Sequence, residues 1–269
     1  MKKRFINKMK PLISVVMPVY NSEKFLDESI SSILNQTLGD FELIIINDAS
    51  IDNSLKIIKN YMKKDKRIKL INNEENLGTV KSRNVGLRTT QGKYVAIMDS
   101  DDISLIDRLR IQFNYFEKNK HIFLVGSSAI YIDENGKEIR RFKKYDDYKM
   151  LAWRLPQSCG IIHSSVMFRN TKEIFYNESY KSAHDYNFYL DLLEAEKNLT
   201  NLPQFLVKYR VHDNSISISK QKEQEMFANL TQKNHRSLKN KTNLFNRSIF
   251  SIKLLLFYLK NFNEKRIKN

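Results

Sequence analysis

Three carboxylates arrive together at Asp99-Ser100-Asp101-Asp102, directly after the apolar run 94–98. Negative charge this dense repels itself unless a cation or hydrogen-bond donors offset it. A hard divalent ion, Mg²⁺ or Mn²⁺, is the simplest offset, because it prefers oxygen ligands and often shares them with a substrate phosphate. The competing reading is a helix start, since acidic residues cap helices and the chain from Ile103 onward has a helical pattern. A second point of chemistry is Ala183-His184-Asp185-Tyr186, which opens a stretch carrying Phe188, Leu190, Leu192 and Leu193. Asp185 is there either an N-terminal cap or a general base, with His184 beside it in a polar pocket. A third is the alternating run Val207-Lys208-Tyr209-Arg210-Val211-His212. Its Arg210 and His212 share one strand face, which suits them to a phosphate or a metal.

These residues need a scaffold, and the apolar pattern supplies one. Residues 12–20, stopped by Pro18, and the runs 41–46, 68–71 and 94–98 read as buried strands. Helical periodicity fills the gaps at 23–36, from Asp52 through Tyr61, and at 79–88. Strands alternating with helices imply an α/β fold whose mostly parallel sheet is wound by right-handed crossovers. In such sheets ligands sit at the carboxyl ends of the strands. Tyr20 and Asn21, Asp48, Asn76 and the acidic cluster each lie just past a strand. Any one is an ordinary turn residue; four strand ends facing one way make a shared site. Arg83 would bring positive charge to a bound diphosphate there, whereas Lys81 reads as a solvated helix face.

Beyond the cluster, Ile106, Leu109, Phe113 and Phe116 have the spacing of a core-facing helix. Residues 122–125, 128–132 and 161–168 read as strands, and 142–159 is weakly patterned. Within that weak region Trp153 is either a platform for stacking a sugar or plain core. His163 reads as a hydrogen-bonded structural histidine.

The formal charge of +16 is carried almost entirely by the ends of the 269-residue chain. Residues 1–10 hold five Lys/Arg and no acid, and 219–269 hold twelve against three acids. A nucleic-acid domain would carry that charge on its folded body, so nucleic acid is excluded as a partner. The organisation is therefore a basic N-terminal segment (1–11), a nearly neutral domain (12–218) and a basic helical tail (219–269). In the tail, Phe245, Ile249, Ile252, Leu255, Leu256 and Leu259 form an apolar stripe among basic residues. Such a helix rests on an anionic membrane surface, packs on the domain, or joins two copies as a homodimer. The single Cys159 excludes an internal disulfide framework. The first ten residues lack the apolar core of a signal peptide, and no run reaches the roughly 18 apolar residues of a spanning helix. A cytoplasmic protein, peripheral at most on the inner face of the plasma membrane, is expected.

Six segments in order carry a family likeness: SVVMPVYN, IIINDAS, ENLGTVKSRNVGL, GKYVAIMDSDD, AHDYNFYLDL and VKYRVHDNSIS. Together they resemble the family 2 glycosyltransferases of the GT-A fold over roughly residues 12–217. The resemblance implies a Rossmann-like sheet flanked by helices, with a C-terminal helical extension added here. It implies that Pro18, Val19, Tyr20 and Asn21 line a nucleotide pocket, that Asp48 binds the base, usually uracil, and that Asn76 and Arg83 lie near the nucleotide. Asp99, with Ser100 beside it, would contact ribose or sugar, Asp101 would ligate Mn²⁺ or Mg²⁺ on the diphosphate of a UDP-sugar, and Asp102 would brace them. Asp185 matches the family's catalytic aspartate, and His212 a position that assists at the metal. Trp153, His163, His184 and Arg210 remain as acceptor-side or supporting residues. Many relatives have Glu-Asp where this chain has His184-Asp185, which changes what stands beside the base. The Gln-x-x-Arg-Trp signature of processive synthases is absent, so transfer of a single hexose or N-acetylhexosamine to a glycan or lipid-linked acceptor is expected, in bacterial surface polysaccharide synthesis. Two other classes compete: a nucleotidyltransferase, for which a Gly-rich basic loop after the first strand is missing, and a non-catalytic nucleotide-sugar-binding protein at the membrane.

Overall fold

The computed structural model describes residues 10–144, 146–213, 215 and 221–238. Its first half is a regular α/β alternation: β1 (Ile13–Val19), α1 (Glu23–Leu34), β2 (Phe41–Asn47), α2 (Ser54–Lys64), β3 (Ile68–Asn72), α3 (Thr79–Thr89) and β4 (Tyr94–Ile97). There follow β5 (Ile103–Ser104), α4 (Arg108–Lys118), β6 (Ile122–Ile132), β7 (Glu138–Phe142), α5 (Tyr148–Arg154) and β8 (Met167–Arg169). The described chain ends with α6 (His184–Glu194), β9 (Asn198–Arg210) and α7 (Gln221–Asn234). The strands form one sheet in the order β3-β2-β1-β4-β8-β6-β9-β5, with β7 paired to the far end of β6. The β3-β2-β1-β4 portion is parallel throughout, and β6 pairs with β9 in parallel. Pairings of β8, β7 and β5 are antiparallel. The mostly parallel α/β sheet flanked by helices is the fold that the sequence implied.

A strand buried on both faces must feed two layers, because successive side chains alternate sides. Val15 and Met17 of β1 join one core with Leu26, Ile30 and Ile33 of α1, while Val16 joins the other with Val80 and Leu87 of α3. The second layer is tight. A Cβ on Gly86 would come within 2.6 Å of Ile46 Cδ1 and 2.7 Å of Val16 Cγ1, so only glycine lets α3 lie this close to the sheet.

Several boundaries differ from the sequence reading, each for a local reason. Pro18 does not stop β1, which runs on to Val19. Its neighbour β4 pairs only as far as Ile97 opposite Val16, so the missing N–H of Pro18 costs no ladder bond on that side. Ile103 does not begin a helix: Ile103 and Ser104 pair with Lys208 and Val207, and α4 starts at Arg108. The two strands expected at 122–125 and 128–132 are one strand, irregularly paired around Ser127 and Ser128. Of the strand expected at 161–168 only its end is extended, because residues 163–165 form a 3₁₀ turn. Of the run at 207–212, only 207–210 lie in a strand, the end of a 13-residue one whose first part is polar and contains Pro203, and Val211 and His212 lie past it.

The tail's first portion packs on the domain. On α7, Gln232 donates to Tyr186 Oη (3.3 Å) and the Gln157 carbonyl (2.8 Å), and Glu223 accepts from Ser182 (3.0 Å). The apolar stripe from Phe245 to Leu259 lies outside the described residues. Among the described residues no helix is long and apolar enough to cross a membrane.

Candidate active site

The loops after β1, β2, β3 and β4 meet at one end of the parallel sheet. Asn21 takes a left-handed conformation (φ 47°) and clasps the loop after β2: its N–H donates to Ser50 Oγ (3.1 Å), and its Oδ1 accepts from the Ile51 N–H (2.9 Å). Pro18 and Val19 are buried in β1, and Tyr20 beside them is 48% exposed. Asp48 is buried and grips the turn after β3, accepting from Asn73 Nδ2 (2.8 Å) and from the N–H groups of Leu77 and Gly78 (both 2.9 Å). A carboxylate has about four acceptor positions, so Asp48 keeps roughly one for a ligand. Asn76 is exposed and also accepts from Gly78 (3.0 Å), whose φ of 82° suits glycine at this turn.

The acidic loop is fastened from four directions. Ser29 of α1 donates to the Asp99 carbonyl (3.1 Å), Ser22 pairs with Ser100 (2.7 Å), and Ser164 Oγ lies between Asp99 Oδ2 (2.9 Å) and Asp102 Oδ2. From the end of β9, Arg210 donates its N–H to Asp102 Oδ1 (2.7 Å) and its Nε to the Asp101 carbonyl (2.8 Å). Burial, then the charges of Asp101 and Asp99, push the Asp102 carboxyl well above the ordinary range. A hydroxyl has one proton to give, and of the two carboxyls that Ser164 touches Asp102 is the one shifted toward its neutral form. Asp99 goes the other way. Burial would raise it, but the Arg83 guanidinium, hydrogen-bonded to it, holds it down at about 2.

Arg210 does not face a phosphate, as its spacing from His212 suggested. Its remaining donors go to the carbonyls of Asp133 and Glu134 and to Glu28 (2.5 Å), which spends the guanidinium on the scaffold. His212 does face the loop, with Nε2 3.1 Å from Asp101 Oδ2. Among the described residues no three His, Cys, Asp or Glu side chains converge on one point. The Asp101–His212 pair nevertheless fits an ion that keeps waters and shares a substrate's phosphate oxygens, since Mg²⁺ takes few protein ligands at such sites.

Arg83 joins the two halves of the site. It is buried at the centre of α3, with Nη2 on Asp99 and Nη1 2.5 Å from His184 Nε2. Burial, then the Arg83 charge, lower the His184 imidazole to about 4, so His184 accepts from Arg83 as a neutral ring. Its neighbour Asp185 occupies the first turn of α6, half-buried, with Oδ1 receiving the N–H of Tyr186 (2.9 Å). Asp185 is close enough for its charge to act on Arg83. His163 stands behind, its nitrogens 2.7 Å from Tyr189 Oη and 3.1 Å from Tyr176 Oη. Burial, with Arg83 nearby, lowers it to about 3, which fits a neutral structural ring. Trp153 lies half-buried on α5.

The sequence reading missed the residues that support this end. Ser164 lay in what read as a strand, and Arg108 in a plain core helix. Arg108 is fully buried, donating to the carbonyls of Ile97 (2.8 Å) and Val166 (3.1 Å) and to Gln112 Oε1 (3.2 Å). Burial lowers its pKa to about 9 against the opposing charges of Asp102 and Asp99. A charged residue directly inside the helix that follows an acidic run was the available signal. The larger surface groove, about 390 Å³ and lined by Ile174, Phe175, Phe188 and Leu192, contains none of the expected site residues.

Known proteins share this architecture. The family model described as Glycosyl transferase family 2 matches residues 14–175. An uncharacterized glycosyltransferase of Methanocaldococcus jannaschii is 40% identical over 90% of this chain and 84% of its own length. The Escherichia coli UDP-Glc:alpha-D-GlcNAc-diphosphoundecaprenol beta-1,3-glucosyltransferase WfgD is 32% identical over 79% of this chain and 82% of its own. Among solved structures, that of S. aureus TarS 1-349 in complex with UDP aligns with a TM-score of 0.64 and 25% identity, covering 76% of this chain and 61% of that one. With the family model spanning more than half of it and such relatives matched over most of their length, the chain belongs to glycosyl transferase family 2.

Proposed function

We propose that this chain is an inverting transferase that moves a single hexose or N-acetylhexosamine from a UDP-sugar to a hydroxyl of a glycan or lipid-linked acceptor. The observation that carries the reading is the Arg83 bridge, which ties donor-side Asp99 to His184, the residue next to Asp185. One guanidinium thus links Asp99 to the residue beside Asp185, whose charge also reaches it. The UDP bound in the TarS structure and the donor and acceptor in WfgD's name support a UDP-sugar and a lipid-linked acceptor in surface polysaccharide synthesis.

In this reading the loops bearing Pro18, Val19, Tyr20, Asn21, Asp48, Asn76 and Ser100 receive the nucleotide, and Asp99 meets ribose or sugar. Asp101 and His212 would hold Mn²⁺ or Mg²⁺, which when bound neutralises charge on the departing diphosphate. Asp185 accepts the proton of the acceptor hydroxyl as that oxygen bonds to the anomeric carbon. The bond from that carbon to the diphosphate breaks, and its electron pair leaves with UDP. Attack from the face opposite the leaving group inverts the anomeric centre, by the single-step logic of inverting glycosidases. Arg83 keeps Asp99 ionised and His184 neutral, so that Asp185 is the basic group on the acceptor side.

The test is UDP release from UDP-glucose, UDP-galactose and their N-acetyl forms, with and without acceptor lipid extract and Mn²⁺. The expected result is release from one donor that rises when acceptor is added. Pyrophosphate release from a nucleoside triphosphate instead would identify a nucleotidyltransferase, and binding without turnover a non-catalytic protein. A basic tail lying on an anionic membrane accords with a lipid-linked acceptor. Liposome cosedimentation of the full chain against one ending at residue 238 tests that placement, and equal binding by both removes the tail from it.

A further inference from the structure

We propose that Lys144, just past β7 and beside the 159–161 segment, is the cation for a phosphate or diphosphate borne by the acceptor. This rests on Asp185 being the acceptor-side base, and it adds the chemical class of group that the acceptor carries.

Lys144 is held from both sides of its backbone. Its N–H donates to Ser128 Oγ (2.8 Å), and its carbonyl accepts from the same hydroxyl (3.0 Å). The side chain is half-buried with Nζ 4.6 Å from the centre of the Phe142 ring, and among the described residues no carboxylate or carbonyl receives the ammonium. The nearest acid in sequence, Asp146, acts on it by charge but is fully buried and ion-paired with Arg154 at 2.7 Å, so two cations share one carboxylate. Arg154 therefore neutralises Asp146 and leaves one cation over. A partly buried ammonium with only a shared counter-ion is costly, and an anion from outside would relieve the cost. The direction of its pKa agrees, since burial first and Arg154 second pull it below the ordinary lysine value.

The position of this cation decides what it is for. A Cβ on Gly160 would lie 3.8 Å from Lys144 Nζ, which places the ammonium against the 159–161 segment. That segment borders the base. Tyr186, next to Asp185, donates its hydroxyl to the Leu155 carbonyl (2.7 Å) and so pins the end of α5 to the start of α6. Cys159 is at the surface, which governs access to it. Burial of its sulfur, then the Asp185 charge, raise its thiol to about 12, while Lys144 acts on it in the opposite sense. Arg140 of β7 lies 5.9 Å from the centre of the same Phe142 ring and 4.3 Å from that of Tyr131. A neutral sugar hydroxyl gains little from an unpaired ammonium, whereas a phosphate group gains a charge-assisted hydrogen bond.

The test titrates inorganic pyrophosphate into the full chain saturated with UDP, so that the donor site is occupied. Wild type is expected to bind pyrophosphate, Lys144→Gln to bind it at least about 10-fold more weakly, and Lys144→Arg to recover most of the loss. Lys143→Gln, at an exposed neighbouring lysine, is expected to match wild type. UDP affinity and melting temperature should be equal in all four. Vesicles of phosphatidylcholine with or without phosphatidylglycerol separate the sources of phosphate. Lys144-dependent binding of pyrophosphate alone assigns a phosphate on the acceptor. Lys144-dependent binding of the anionic vesicles as well assigns a lipid headgroup, and either outcome supports the cation's role. Lys144→Gln behaving as wild type in both assays overturns the proposal, as does wild type binding neither probe. Failure to bind UDP would instead overturn the transferase reading itself.

Discussion

The two halves of the sheet hold their site residues by different means. In β2, β1 and β4 the strands are mostly apolar and buried on both faces, and most of the polar residues sit in the loops beyond the strand ends. Around β6, β8 and β9 the polar residues are inside. Ser127, Ser128, Asp146, Ser164, Thr200 and Asn201 are all buried. Thr200 Oγ1 donates to the Asp146 carbonyl (2.9 Å), and Asn201 Nδ2 donates to the Gly160 carbonyl (3.0 Å). The first half positions a ligand by a rigid apolar platform, which any donor of the same class can use. The second is held by hydrogen bonds between particular partners, and in the proposed function it carries the acceptor side. A surface tuned to one acceptor is more readily built from such particular pairs.

That comparison can be broken at several points, beginning with the largest expected effect. Asp185→Asn should cut transfer by about 10²–10⁴-fold, the usual worth of a general base, while leaving UDP-sugar affinity unchanged in a binding titration. Parallel loss of affinity would move Asp185 into the donor half. Arg108→Leu leaves the carbonyls of Ile97 and Val166 without this donor and removes one of the buried cations beside the acidic loop. Denaturant unfolding should register about 3–5 kcal/mol lost, and a loss within error would mean that the serine, Arg83 and Arg210 bonds hold the loop without Arg108. Gly86→Ala presses a methyl group into Ile46 and Val16, and should cost about 1–3 kcal/mol in the same assay.

The smallest effect is one of pH, at the junction of α6 and α7. His235 Nε2 lies 2.9 Å from Asp191 Oδ1 and its Nδ1 2.9 Å from the Thr231 carbonyl, a geometry that asks both nitrogens to donate. Burial opposes the charged ring, but the bonds to Asp191 and Thr231 and the Glu194 charge prevail, and the pKa is raised. The sign follows from linkage: the stabilisation is complete below about 6.5 and fades as pH rises through the higher native value. Thermal melts of wild type should therefore lose more stability than His235→Gln above neutrality. Identical slopes would show that the contact does not hold α7.

How much of this the sequence disclosed follows the same division. Residues 12–98 were legible because each strand is a mostly apolar run and a polar residue follows each strand end. The acidic loop, Asp48, Arg83 and Asp185 could be picked out by type and place alone. The 3₁₀ turn at residues 163–165 was not, because its apolar neighbours Ile161, Ile162 and Val166 imitate a strand. What bends it is distant: Gln112 donates to the Ser165 carbonyl (2.7 Å), and Arg108 takes that of Val166. The polar start of β9 was missed for a related reason, since Thr200 and Asn201 are satisfied by partners about 40 to 54 residues away in sequence. Long-range polar pairing leaves no periodic trace in a single chain.

The central claim is that the leaving diphosphate and Asp185 act on opposite faces of one sugar. It is tested most directly by following the first turnover of the accepted UDP-sugar by proton NMR and reading the anomeric coupling of the new linkage. The account predicts a product anomer opposite to that of the donor. A linkage formed with the donor's own configuration would contradict it.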